Sequence, residues 1–85
     1  MRKEKEVTVG KEKFTLVEIK VRDMMSIMPR LGDEAQASEA TMDLMKLCVF
    51  QDGHPLGDAL EEMGLSTYME LVDPVMEVNG LKGKT

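Results

Sequence analysis

The sequence predicts a small α+β domain in which an N-terminal β-hairpin is followed by three to four short helices, in the order ββααα. Residues 5–19 alternate apolar and polar side chains, later apolar residues recur at helical spacing, and Gly, Pro and Asp separate the segments. The 85 residues, 42% hydrophobic and 32% charged, suffice for one core and are too few for two. We therefore expect a single domain over 1–85, with flexible tails over 1–4 and 81–85.

The predicted hairpin occupies the start of the chain. Lys5 to Val9 alternates, Gly10 begins a turn, and an extended pattern resumes from Lys13 to Ile19. Two strands alone are marginally stable in water, so helices must cover one face of the hairpin.

Two helices are predicted in the middle of the chain. The first has Asp23 near its start and should end at about Met28, because Pro29 disfavours helical geometry in the residue before it. After an acidic loop over 32–37, Ser38 is the expected N-cap of a second helix that runs to about Phe50.

A short helix and a longer one are predicted after the Gly- and Pro-rich segment 51–57. The short helix covers 58–63, with Gly64 as its C-cap. Thr67 and Glu70 have the spacing of a capping box and should open the last helix, which Asn79 and Gly80 close after about residue 78. Pro74 lies inside this helix and removes one backbone hydrogen bond, which predicts a kink or an early break.

The second helix is apolar on two sides. The first stripe is the expected core face and consists of Ala40, Leu44, Leu47 and Cys48. The second stripe lies roughly opposite and consists of Met42, Met45 and Val49. Such a helix is either sandwiched between layers or presents one face to a partner, and a chain this short has few elements for a second layer. We therefore predict an exposed partner-binding patch made of Met42, Met45 and Val49, with Met69 and Met76 as neighbours.

The predicted core and a fallback binding surface follow from the same stripes. The core should include Phe14, Leu16, Leu44, Leu47, Leu71 and Val75. Should Met42 and Met45 instead belong to it, the next binding candidates are Met24, Met25 and Met28. Both roles suit methionine, which fills gaps in cores and also moulds itself to varied partners at binding surfaces.

Composition and motifs argue against several classes of function. The net charge of −5 and the lack of tryptophan disfavour nucleic-acid binding, and no stretch has the length of a membrane span or the pattern of a secretory signal, so we expect a cytoplasmic protein. Cys48 and His54 are separated by a helix end and a turn, which argues against a nucleophile and base pair. The terminal "GLKGKT" and the segment "DGHPLGDALEEM" lack essential positions of phosphate and calcium loops. We expect no enzyme activity, cofactor or metal.

The stretch "EVTVGKEKFTLVEIKVRDMMSIMPRL", with "YMELVDPVMEVNGL" later, resembles the small tail assembly chaperones of long-tailed bacteriophages and Mu-like prophages. The likeness is densest from Phe14 to Asp23, and Pro74 departs from the family pattern. The resemblance implies a non-enzymatic, cofactor-free protein of the host cytoplasm. Such a protein binds apolar helical segments of the tape measure protein, keeps them soluble during tail assembly, and leaves before the virion is complete.

Two other functions remain open at this point. The chain could be a structural virion or connector component, in which the methionines pack in a permanent interface. It could also be a small acidic regulator that masks a basic partner. Presence in purified particles separates the first from a chaperone, and a strong salt dependence of partner binding would favour the second.

Overall fold

A computed structural model describes residues 2–81 of the chain. Its elements, in order, are β1 (Glu4–Val9), β2 (Glu12–Val17), α1 (Val21–Leu31), α2 (Ala37–Cys48), β3 (Val49–Gln51), β4 (His54–Pro55), a 3-10 helix (Gly57–Glu62) and α3 (Leu65–Val78). The predicted α+β class and N-terminal hairpin are confirmed. The short strands β3 and β4 were not predicted.

The four strands form one antiparallel sheet in the order β1-β2-β3-β4. On its inner face Val7 lies opposite Phe14, and Leu16 lies opposite Val49. The second helix therefore ends at Cys48, two residues earlier than predicted. The chain turns to strand there because the β-branched Val49 and the aromatic residue after it pair with β2.

Helix α2 is the central element of the fold. It contacts α1, α3, the 3-10 helix, β2 and β4, so it is covered on several sides at once. The buried core comprises Phe14, Leu16, Ile19, Ile27, Ala40, Leu44, Met45, Cys48, Val49, Leu60, Leu71, Val75 and Val78. Met45 and Val49 are fully buried, so the expectation that they belong to an exposed patch is wrong. The reason is that Val49 belongs to the sheet and pairs with Leu16, and that α1, the 3-10 helix and β4 cover α2 in addition to β2 and α3.

One predicted core residue lies outside the core. Leu47 is 41% exposed and lies at the outer edge of the sheet, near Asp23, Phe50 and Pro55. The buried face of α2 instead runs through Leu44 and its neighbours, toward the sheet and α3.

Helix α1 continues past Pro29 to Leu31, three residues beyond the predicted end. Pro29 has no N–H to donate to the Met25 carbonyl, but tertiary contacts hold the last turn. The Arg30 guanidinium donates to the Ser26 carbonyl at 3.2 Å and to a carboxylate oxygen of Asp43 in α2 at 2.9 Å. These contacts, together with Leu31 packed against the core, offset the lost hydrogen bond.

The helix starts differ from the predicted caps. Helix α2 begins at Ala37 with Gln36 at the N-cap, and α3 begins at Leu65 with Gly64 at the N-cap, so neither Ser38 nor Thr67 caps a helix. Gly64 precedes α3 and does not close the helix before it, which is a 3-10 helix ending at Glu62.

The end of α3 matches the predicted closure by Asn79 and Gly80. Gly80 adopts the left-handed φ of 67°, and the N–H of Leu81 donates to the Met76 carbonyl at 2.8 Å. Helix α3 runs without interruption through Pro74, so an early break does not occur.

The ends of the described chain are bonded to the domain. The N–H of Glu18 donates to the Lys3 carbonyl at 2.8 Å, and Glu4 is paired with Val17 across the hairpin. Of the predicted flexible tails, Met1 and residues 82–85 lie outside the described residues.

Candidate functional site

An apolar groove lies between α2 and α3 and has a volume of about 380 Å³. We call it the α2–α3 groove, and it is lined by Ser38, Thr41, Met42, Tyr68, Met69 and Val72. Two of these residues, Met42 and Met69, come from opposite walls and belong to the predicted binding set. The structure therefore brings together one methionine from each of the two helices for which a binding role was predicted.

The groove continues along α3 as a stripe of exposed and half-buried apolar side chains. We call it the α3 seam; it consists of Leu65, Met69, Val72 and Met76, at intervals of four, three and four residues. Leu65 is 74% exposed and Met69 is 58% exposed, whereas Val72 and Met76 are half-buried against the core. This alternation of three and four is the spacing by which one helix packs along another.

The polar groups of the groove are largely neutral. The Thr41 hydroxyl donates to the Ala37 carbonyl at 2.8 Å, so it is bonded within its own helix. Burial raises the pKa of Tyr68, which keeps the phenol protonated at neutral pH. The groove floor thus offers no charge to a ligand, and an apolar side chain is its natural occupant.

The solvent side of the α3 seam is acidic. Glu70, Asp73 and Glu77 follow Met69, Val72 and Met76 by one position each and are exposed, and Leu65–Val78 contains no Lys, Arg or His.

Glu77 bonds the Lys5 ammonium at 2.9 Å. Among residues 2–81, no cation lies within ion-pair distance of Glu70 or Asp73. The charged residues that α3 contributes to this edge are therefore all acidic. Lys5 of β1 neutralises Glu77, and no described residue neutralises Glu70 or Asp73.

The predicted binding residues divide into two groups. Met42 and Met69 line the groove, and Met76 continues the seam. Met45 and Val49 are buried in the core. The sequence analysis did not name Leu65, Tyr68 or Val72 as binding residues. The interval of four, three and four residues was the sequence signal that could have found the seam.

A second apolar surface lies along α1 and encloses about 350 Å³. We call it the α1 ridge; its apolar side chains are Ile19, Val21, Met24, Met25, Met28 and Leu81. Val21 is 79% exposed and Met25 is 73% exposed. This surface contains the three methionines named as fallback candidates. It is edged by charges of both signs, since Glu18 lines it and Arg22 and Asp23 follow Val21.

No protein-family model, curated protein or solved structure matches this chain. Within the described part of the chain, no group of three or more His, Cys, Asp or Glu side chains is arranged to hold a metal ion. Every helix that the structure describes is too short or too polar to cross a bilayer.

Proposed function

We propose that this protein is a binding chaperone that holds apolar helical segments of another protein in the α2–α3 groove and along the α3 seam. The partner proposed is the tape measure protein of a long-tailed bacteriophage, and the site of action is the host cytoplasm. The proposed activity is reversible binding and needs no cofactor or covalent step.

The observation that carries the proposal is the α3 seam beside the α2–α3 groove. A helix-binding groove needs an apolar line spaced for another helix and a concave wall to receive its side chains. Leu65, Met69 and Val72 provide the line, and Met42 provides part of the wall. Methionine side chains re-pack at little cost, which suits a chaperone that must accept many unlike apolar segments.

The α1 ridge is the competing surface, and three differences favour the groove. The seam spans three turns of a 14-residue helix, whereas the exposed line of α1 runs only from Val21 to Met28. The groove has walls from two helices. Its charged edge also carries one sign, whereas the α1 ridge is edged by both.

The choice of tape measure protein as the partner has a separate basis. It rests on the resemblance of "FTLVEIKVRD" and "LVDPVMEVNGL" to tail assembly chaperones. The groove supports the chemistry of the partner, an apolar helix, and the resemblance supports its identity.

A pair of single substitutions tests the proposal. Met69→Glu places a carboxylate in the exposed part of the groove, and Met25→Glu places one on the α1 ridge, where the native methionine is also more than half exposed. Each variant is co-expressed with an aggregation-prone apolar helical segment of a tape measure protein, and the soluble fraction of that segment is measured. We expect protection to be lost with Met69→Glu and kept with Met25→Glu, because only the first charge would be buried under the bound helix.

Thermal melts of both variants serve as the control, since exposed substitutions usually change the free energy of unfolding by about half a kcal/mol or less. Loss of protection with Met25→Glu alone would move the site to the α1 ridge. Wild-type chain that protects no segment would refute the chaperone function. Stoichiometric recovery of the chain in purified virions would favour a structural component instead.

A further inference from the structure

We infer that the α2–α3 groove selects amphipathic helices whose apolar face is edged by Lys or Arg. This inference rests on the proposed function and specifies the chemical class of the bound segment. It follows from the position of the acidic side chains relative to the seam and from the finding that, among residues 2–81, no base lies within ion-pair distance of Glu70 or Asp73.

The geometry of the seam places acidic groups where a bound helix would meet them. If Met69 and Met76 occupy the first position of a seven-residue repeat, Leu65 and Val72 occupy the fourth and Asp73 the fifth. Side chains at the fifth position flank the apolar line and form the ion pairs that set partner choice in paired helices. Glu70 occupies the second position of the repeat, which lies on the same side of the helix as Asp73 but further from the apolar line.

The opposite edge of the seam has a different character. It is formed by Tyr68 and by Ser38, Thr41 and Met42 of α2, and none of these side chains is charged at neutral pH. A bound helix would therefore lie between an apolar wall and an acidic edge. Its basic residues are favoured on only one side of its own apolar face, which also favours one of its two orientations.

Among residues 2–81, no base lies within ion-pair distance of Glu70 or Asp73, whereas Lys5 pairs with Glu77 further along the same edge. The single base of α2 is Lys46, whose ammonium is bonded to Glu61 and lies 3.0 Å from a carboxylate oxygen of Asp58. Helix α3 has no base at all. A basic flank on the partner is therefore the complement that Asp73 and Glu70 lack within residues 2–81.

The same charges argue against a second copy of this chain as the occupant. An antiparallel two-fold pairing of two α3 seams would bring the acidic edge of one helix, with Glu70 and Asp73, beside the acidic edge of the other. No base of either α3 could relieve that repulsion, and like charges at such positions are destabilising. A partner helix of opposite charge meets no such penalty.

Three synthetic helical peptides test the inference. They have equal length and the same apolar face, and their flanking positions carry Lys, Gln or Glu. Binding of each labelled peptide to the wild-type chain is measured by fluorescence anisotropy at low and at high salt. Because an exposed ion pair contributes about 0.2–1 kcal/mol, two such pairs should make the Lys peptide bind about 2- to 30-fold more tightly than the Gln peptide. The Glu peptide should bind most weakly, and the differences should shrink at high salt.

A pair of double variants assigns the effect to the seam. Glu70→Gln with Asp73→Asn should remove most of the preference for the Lys peptide over the Gln peptide. The control, Glu6→Gln with Glu34→Gln, changes the net charge equally at exposed positions outside α3 and should keep the preference.

The outcomes separate the inference from the function on which it rests. Equal binding of all three peptides, or an equal effect of both double variants, overturns the charge selectivity and leaves helix binding intact. Failure of every peptide to bind overturns the proposed function and the inference with it. A dimer of the free chain that Met69→Glu dissociates, measured by sedimentation, would show that a second copy occupies the groove and would also overturn the inference.

Discussion

The side-chain oxygen of Asn79 accepts a hydrogen bond from the backbone N–H of Ile19 at 2.8 Å, which joins the end of α3 to the segment between β2 and α1. The amide nitrogen of Asn79 donates to the Val75 carbonyl at 2.9 Å and lies 3.6 Å from the Cys48 sulfur. One side chain thus connects the end of the hairpin, the end of α2 and the end of α3. It also lines the α1 ridge, so the shape of that surface depends on it.

Replacing Asn79 with alanine should destabilise the domain by about 1–3 kcal/mol, because it leaves the partly buried N–H of Ile19 without an acceptor. Urea denaturation measures the change. Gln36→Ala is the matched control, since among residues 2–81 its side-chain amide bonds only the exposed Asp33. If both substitutions lowered the free energy of unfolding equally, the Asn79 hydrogen bonds would contribute no more to stability than an exposed one.

Two leucines in one helix should respond very differently to truncation. Leu44→Ala should cost about 2–5 kcal/mol, as in other buried sites, because Leu44 is fully buried. Leu47→Ala should cost much less, since Leu47 keeps much of its surface in water and alanine favours the helix. Chemical denaturation of both variants measures the change in the free energy of unfolding. A larger loss of stability for Leu47→Ala than for Leu44→Ala would contradict the burial assigned to these two residues.

A buried and an exposed methionine should likewise differ in how far a substitution lowers the stability of the domain. Met45→Glu should prevent stable folding, because it places a carboxylate in a fully buried position. Met69→Glu should leave the melting temperature within a few degrees of wild type, because its site is more than half exposed. Circular dichroism melts compare them. A folded, stable Met45→Glu variant would be incompatible with the central position of α2.

Stability should fall at alkaline pH through the Cys48 thiol. Burial raises the pKa of this thiol, and the Asn79 amide only partly opposes that effect. The folded chain therefore retains the proton over a range in which the unfolded chain releases it. The stabilisation is complete below the ordinary thiol pKa of about 8.5 and is lost as pH rises from there through the raised pKa of the folded state.

Urea denaturation between neutral pH and pH 10 measures this dependence. Cys48→Ala should flatten the alkaline part of the curve, although Tyr68, whose pKa burial also raises, retains its own contribution at higher pH. In the native state the thiol should react slowly with a disulfide reagent at pH 8, and it should react rapidly in urea. Fast native labelling would contradict the burial of Cys48.

The sequence by itself determined the elements whose signals are local. The alternating residues around Gly10 produced the hairpin, because alternation places one face of each strand on the core. Helical spacing identified α2 and α3, and Asn79 with Gly80 marked the end of α3, because only a left-handed residue completes that cap.

Only the tertiary structure decided which apolar faces are covered. Met42 and Met45 belong to the same predicted stripe, yet one lines the groove and the other is fully buried. Their difference depends on which sides of α2 are covered by α1, β4 and the 3-10 helix, and these contacts join residues that are distant in sequence. Pro29 shows the same limit: its local preference ends a helix, but the bond from Arg30 to Asp43 retains the last turn. Burial is a property of neighbours distant in sequence, and periodicity reports only which residues share a face.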